Sequence, residues 1–184
     1  MKSLRYFGIF AAFLFFIIAS ISIAYNPWFK LLTHAFSHLG SYSANKMWIY
    51  NYGMMLLGLM LGLYGISFII DSINKIETVA GAYITISGIF LALIGIYHMG
   101  TSPHNTVSYY FFMQSELAMI VAGIGLVITE YKRRGIALLV MCAFSLFLEF
   151  QKIWPSVALL EAFAILTLMV RVSLLTSIQL ERER

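Results

Sequence analysis

The sequence predicts an all-α fold, a polytopic membrane protein whose six transmembrane helices form one bundle over residues 1–184. The chain is 61% hydrophobic and only 11% charged, whereas soluble domains carry about 25% charged residues. Its apolar residues fall into six runs, each long enough for a hydrocarbon core of about 30 Å, which needs about 20 helical residues. The connections between these runs are too short for a separate soluble domain, so we predict a single integral membrane domain.

The six predicted spans can be justified in chain order. The first follows a basic start, and its apolar run of about twenty residues is too long for a signal-peptide core, so we expect it to be a retained helix. The fifth is the shortest. Pro155 separates it from the sixth, because proline disfavours helical conformation in the residue before it. The spans are expected at about residues 6–25, 47–70, 78–99, 107–131, 136–153 and 156–178.

The first loop is the only long one, and it has a pattern of its own. Asn26 suits a helix N-cap, Pro27 suits the first helical position and Gly40 suits a helix C-terminus. Between them, apolar residues recur at helical spacing; they are Trp28, Leu31, Leu32, Ala35, Phe36 and Leu39. We therefore predict a short amphipathic helix in the first outer loop, lying in the membrane interface as a lid over the bundle.

The distribution of Lys and Arg predicts a multi-pass protein of the cell membrane with both termini in the cytoplasm. This orientation places nine basic residues inside and three outside, as the positive-inside rule requires. The three outer residues are Lys30, Lys46 and Lys152, and the three tryptophans form an aromatic belt on the same side. The basic net charge is thereby explained by topology, so no nucleic-acid partner is expected.

Ionisable residues in or beside the spans are the candidate functional residues, because burying them in a membrane is costly. All four histidines are predicted on the outer side. Glu149 and Glu161 lie at similar shallow depth there, and Glu116 lies deeper, about 14 Å into its span. The predicted ligand-binding residues are His98, His104, Glu116, Glu149, Glu161 and Asn51.

The carboxylates need partners or protons at these depths. Glu149 and Glu161 could approach each other as a proton-binding or acid/base pair, or form a salt bridge with Lys152. Glu116 could be protonated, face water, or pair with His98 from above. Arg171 is the poorer candidate partner for Glu116, because we expect its side chain to reach the inner headgroups.

The histidines also permit a metal site. His34 and His38 are four residues apart and would share one face of a helix. Zinc metalloproteases use that spacing, but Ala35 stands where their motif requires a glutamate. Three histidines and a carboxylate suffice for a hydrolytic metal centre, and two histidines suffice for a haem; wet interfacial side chains are the alternative. The predicted metal ligands are His34, His38, His98 and His104.

Glycines and the single cysteine add two further expectations. Small residues at helical spacing in the second and third spans, such as Gly58, Gly62 and Gly88, predict close packing of these two helices. Cys142 is the one cysteine, so zinc or iron–sulfur sites built from several thiolates are excluded.

Two short motifs resemble one membrane family. The run Phe36–Gly40, then Asn45 and Tyr50–Gly53, is similar to the opening signature of a six-span prokaryotic family of unknown function (DUF998), common in archaea.

The second motif begins at Gly95 and continues with His104, which comes shortly before Phe111 and Phe112. It resembles the second element of that family, although Tyr97 and His98 stand where the family usually has Phe-Pro. The fold is also similar to six-span autophagy modulators and lipid-remodelling proteins. The resemblance implies six helices with cytoplasmic ends and draws attention to Ser37, Asn45, Asn51 and His104, but it supplies no activity.

Three functions remain open at this point. The first is the binding or movement of a lipid or small amphipathic ligand in an outward-facing polar cavity. The second is a metal- or haem-dependent membrane enzyme that uses the outer histidines; otherwise no cofactor is expected. The third is a structural subunit of a larger membrane complex or homo-oligomer, in which the glycine seams serve packing alone.

Overall fold

The computed structural model describes residues 2–151 and 153–182, and within these ranges the chain is helical without a β-strand. A 3-10 helix, Lys2–Tyr6, leads into the first of six α-helices, and a second 3-10 helix, Phe36–Gly40, lies between the first two. The α-helices are α1 Phe7–Ala24, α2 Met47–Ile70, α3 Lys75–Ile96, α4 His104–Val127, α5 Lys132–Glu149 and α6 Val157–Glu181.

Five of the six helices, all but α5, are long and apolar enough to cross a membrane among the residues described. Helix α5 carries Lys132, Arg133, Arg134 and Glu149 within its 18 residues, and this charge makes its sequence less apolar than that of the others. The architecture is therefore that of a multi-pass membrane protein in a lipid bilayer. A sixth crossing by α5 stays a prediction, which its packing between α4 and α6 supports.

The third, fourth and fifth helices begin three or four residues earlier than predicted. At α3, the side chain of Asn74 caps the helix by accepting a hydrogen bond from Glu77 N at 3.0 Å. At α5, the basic residues 132–134 form the first turn instead of preceding it. An apolar run marks only the embedded part of a helix, and the helix itself can start in the polar interface.

The prediction of an amphipathic α-helix over residues 26–40 is wrong. This segment forms turns and the 3-10 helix Phe36–Gly40. Asn26 is fully buried, and its amide joins the end of α1 to the end of the loop: Nδ2 donates to Ser22 O at 2.8 Å and Oδ1 accepts from Asn45 N at 2.7 Å. A side chain bonded to a residue nineteen positions away is not available to cap a local helix.

The helices form a ring in chain order, with α6 returning to pack against α1 and α5. The closest pair is α2 and α3, as the small residues predict. A Cβ added at Gly58 would lie 2.5 Å from Gly88 O, and one added at Gly88 would lie 2.6 Å from Gly58 O. The two backbones are therefore in direct contact, which only glycine permits at these positions.

Ion pairs hold one end of the ring, which we call the basic end. Arg5 Nε lies 2.7 Å from Asp71 Oδ2, which also accepts from Gln179 Nε2 at 2.8 Å. Arg182 binds both oxygens of the fully buried Glu77, at 2.6 and 2.9 Å. These contacts tie the start of α1 and the end of α6 to the α2–α3 connection. The opposite end carries the four histidines and is called the histidine end.

Candidate functional site: two cavities inside the helix ring

A partly open cavity, here called the main cavity, lies between α1, α2, α3, α4 and α6. It holds about 770 Å³ of empty space, including its opening. Its polar lining residues are Ser37, Tyr50, Ser108 and Glu161, all in the part of their elements nearest the histidine end. The remaining lining is apolar, and at the far end it includes Gly8 and Val172. The cavity is therefore amphipathic along its length.

Glu161 is fixed at the polar part of the main cavity by the first loop. Its Oε2 accepts a hydrogen bond from Phe36 N at 2.8 Å. Phe36 begins a 3-10 helix, so its amide has no partner within that helix. Glu161 makes this one hydrogen bond among the residues described, which leaves Oε1 without a donor.

The first loop covers the start of α6 through three further contacts. Ser156 caps α6 by accepting from Leu159 N at 3.1 Å, and its hydroxyl donates to Leu31 O at 2.6 Å. Ala158 N donates to His34 O at 2.9 Å. The loop is therefore a roof over the histidine end, although it is built from turns and not from the predicted helix.

His34 and His38 lie side by side in this roof, with ring centroids 5.5 Å apart. Each Nδ1 accepts a backbone N–H at 2.9 Å, from Lys30 and from Ala35 respectively. A neutral imidazole that accepts at Nδ1 carries its proton on Nε2. The Nδ1 lone pair of each of these two histidines, which could otherwise bind a metal ion, thus accepts a hydrogen bond within the loop.

The other two histidines lie in the α3–α4 connection and its junction with α4. His104 is buried, and its Nδ1 donates to Tyr97 O at 2.8 Å, which joins the end of α3 to the start of α4. The His98 ring contacts the Tyr42 ring, with centroids 4.3 Å apart. Among the described residues, no group of three His, Cys, Asp or Glu side chains is placed to hold a metal ion. The metal hypothesis stays a prediction.

Asn51, on α2, holds the roof in place. It is 6% exposed, and its Nδ2 donates to Gly40 O at 3.0 Å. Its side chain packs so closely on Gly40 that any Cβ there would overlap it. Asn51 thus anchors the end of the first loop to α2, outside the lining of the main cavity.

A smaller cavity, here called the inner cavity, lies between α4, α5 and α6 and holds about 270 Å³, including its opening. Its polar residues are Ser115, Glu116 and Glu149. Four apolar side chains line both cavities and form the partition between them; they are Phe111, Phe112, Ile165 and Leu168.

Arg171 does not reach the headgroups, so that prediction is wrong. It is 1% exposed, and its Nη1 lies 2.6 Å from Glu116 Oε1. Its Nε and Nη2 donate to the backbone and hydroxyl of Thr167, each at 3.1 Å, and Nη1 lies 3.6 Å from Cys142 Sγ. Arg171 is ten residues from the end of α6 at Glu181, about 15 Å along the axis, so an internal carboxylate is closer than the interface.

This pairing also settles the expected partner of Glu116. His98, the first candidate, lies in the α3–α4 connection. The carboxylate of Glu116 forms its ion pair with Arg171 instead. Glu149 and Glu161 line different cavities, and no hydrogen bond joins them among the described residues. The alternative partner Lys152 lies outside the described residues.

Some lining residues were missed by sequence reasoning. Tyr50, Ser108 and Ser115 carry no charge, and serine and tyrosine are common in membrane helices, so nothing marked them as site residues. Ser115 directly precedes Glu116, and Ser108 precedes it by two helical turns. A search for polar residues near each embedded carboxylate would have found the two serines.

These features define a polytopic α-helical membrane protein with a partly open, amphipathic cavity. The chain matches the family described as a protein of unknown function (DUF998) over residues 9–178. It therefore belongs to this family, which confirms the resemblance noted in the sequence. No curated protein and no solved structure matches the chain.

Proposed function

We propose that this protein binds a lipid or small amphipathic molecule in the main cavity, with the polar group of the ligand at Glu161 and its apolar part between α1, α2 and α6. The observation that carries the proposal is the lining of the cavity. Polar side chains are confined to the histidine end, while the rest is apolar. Such a division matches a molecule with one polar and one apolar end.

Glu161 indicates the chemistry of the polar group. A buried carboxylate is costly unless donors surround it, and Phe36 N supplies one donor. A ligand amine or hydroxyl would supply a second donor to Oε1. Ser37 and Tyr50, both almost fully buried, line the same part of the cavity and offer hydroxyls that donate or accept. The favoured ligand therefore carries amine or hydroxyl groups.

The predicted ligand-binding residues divide into three sets under this proposal. Glu161 contacts the ligand in the main cavity, while Glu116 and Glu149 face the inner cavity. Asn51 anchors the roof, and His98 and His104 lie at the same end of the helix ring, in the α3–α4 connection and at the start of α4. The outward orientation of that end follows from the positive-inside rule and is part of the proposal.

Native mass spectrometry of the protein released gently from its membrane tests this function. We expect a bound lipid-sized mass in the wild type and its loss in Ala11→Trp, which fills the main cavity. Leu59→Trp adds the same side chain at a residue of α2 that is 60% exposed, and it should retain the mass. Glu161→Gln should lower the bound fraction. A mass that survives Ala11→Trp, or a wild-type chain without any bound mass, would contradict the proposal.

A further inference from the structure

Two acidic side chains and one basic side chain surround the inner cavity. Glu116 and Glu149 both line it, and the guanidinium of Arg171 contacts Glu116. Arg171 therefore neutralises one of the two carboxylates. If Glu149 were ionised as well, one uncompensated negative charge would remain in a low-dielectric interior, which is strongly unfavourable.

Two buried polar atoms around this cavity lack partners. Glu149 Oε1 and Ser115 Oγ each have no hydrogen bond among the residues described. Ser115 is 6% exposed and faces the inner cavity. Buried polar atoms are seldom left unsatisfied, so these two atoms are the ones in this cavity that a proton or a hydrogen-bond donor would satisfy.

We propose that Glu149 binds and releases one proton, and that the inner cavity is a proton site between α4, α5 and α6. A proton on Glu149 forms an O–H bond, cancels the excess charge and converts the carboxylate into a hydrogen-bond donor. On release the proton passes to water and the carboxylate is restored. Ser115 Oγ, in the same cavity, can accept from the acid or donate to the carboxylate.

A metal cation fits this place less well than a proton. Both oxygens of Glu116 are held by Arg171, at 2.6 and 2.7 Å. Glu149 and Ser115 then remain as oxygen ligands, whereas hard cations take six or more. The charged groups acting on Glu149 are Glu116 from α4 and Arg171 from α6; Lys152, on its C-terminal side, lies outside the described residues.

Proton binding at Glu149 has a consequence for the main cavity, and this consequence rests on the proposed function. Phe111, Phe112, Ile165 and Leu168 line both cavities. A ligand that displaces these side chains changes the space around Glu149, so ligand occupancy and proton occupancy are linked. By reciprocity, protonation then changes ligand affinity by the same factor.

Infrared spectroscopy of the protein in lipid nanodiscs tests the proton site without any ligand. We expect a C=O stretching band of a protonated carboxyl group at neutral pH that shifts in D₂O, disappears as pH rises and is missing in Glu149→Gln. Glu130→Gln, at an exposed carboxylate between α4 and α5, should keep the band. Glu149→Asp should shift the frequency of the band. A shifted band would show that its loss in Glu149→Gln comes from removal of the carboxyl group and not from unfolding.

The outcomes of this experiment separate the alternatives. An unchanged spectrum in Glu149→Gln overturns the proposal, since another group then carries the proton. Loss of the band on adding Na⁺ at constant ionic strength also overturns it, in favour of a cation site. If the proton site is confirmed but no lipid mass is found at any pH, the proposed function fails while the proton site stands. A bound fraction that depends on pH in the wild type but not in Glu149→Gln supports the linkage.

Discussion

Arg171 and Glu116 form an ion pair inside the helix ring, with Nη1 2.6 Å from Oε1. The pair joins α6 to α4, and Arg171 also bonds its own helix through Thr167. Desolvating two charges costs about as much free energy as their attraction returns. The pair therefore contributes mainly by specifying which faces of α4 and α6 meet.

Removing either partner alone should be strongly destabilising. Glu116→Gln or Arg171→Met leaves one buried charge without its counterion, and we expect a loss of about 3–5 kcal/mol in the free energy of unfolding. Chemical denaturation in detergent micelles measures this loss. The double variant should recover a large part of it, because no unpaired charge remains.

The pair of Arg134 and Glu181 provides the control for this experiment. Their side chains are 37% and 43% exposed, so Arg134→Gln should cost at most about 1 kcal/mol. Single variants of Glu116 and Arg171 that behave as mildly as this control would show that the internal pair is well solvated.

Two glycines of α2 should respond differently to the same substitution. In Gly58→Ala the new methyl group meets Gly88 O at 2.5 Å, a backbone atom that cannot rotate away. We expect a loss of about 1–3 kcal/mol from the resulting separation of α2 and α3. In Gly62→Ala the nearest atom is Thr85 O at 3.9 Å, so the new methyl group has room. The higher helix propensity of alanine should then raise the free energy of unfolding by at most about 1 kcal/mol.

Thermal unfolding of the two alanine variants, followed by circular dichroism, measures this contrast. Equal effects at Gly58 and Gly62 would mean that the α2–α3 contact is looser than the backbone distances indicate.

The membrane orientation can be tested with single cysteines. Cys142 is 1% exposed and should react slowly with a membrane-impermeant maleimide. Ser102→Cys places a thiol at an exposed residue of the histidine end, and Glu130→Cys places one at an exposed residue of the opposite end. In intact cells we expect rapid labelling of Ser102→Cys, and labelling of Glu130→Cys after the cells are opened. The reverse pattern would place both termini outside.

Metal removal should leave the fold unchanged. His34 and His38 use Nδ1 to accept backbone amides, so their contribution to the roof does not need an ion. We expect the same melting temperature before and after treatment with a chelator. A fall in the melting temperature that added Zn²⁺ reverses would support the metal hypothesis for the histidines.

The succession of helices was largely predictable from the sequence. A bilayer offers no hydrogen bonds to the backbone, so a long apolar run has to become a helix. Hydropathy alone therefore located six helices, with α2 placed at 47–70 as observed. The contact of α2 with α3 was also predictable, because small residues at helical spacing on two consecutive spans are typical of helices whose backbones touch.

The first loop shows where local patterns fail. Asn26, Pro27 and Gly40 match the residue preferences of helix ends, but Asn26 bonds Asn45 across the loop. The energy of that contact depends on a residue far along the chain, so no local rule could weigh it against helix formation. The 3-10 helix that forms instead turns Phe36 N toward Glu161, and this contact creates the polar part of the main cavity.

Composition, hydropathy and motifs are enough to identify a helical membrane protein, its family and the ionisable residues that need partners or protons inside it. The pairing of those residues depends on how the helices pack in three dimensions. Arg171 joins Glu116, Glu161 joins the loop, and Glu149 Oε1 remains without a donor among the described residues. The reason is that the rotation of each helix about its axis decides which polar side chains meet inside the ring. The packing of the whole ring fixes that rotation.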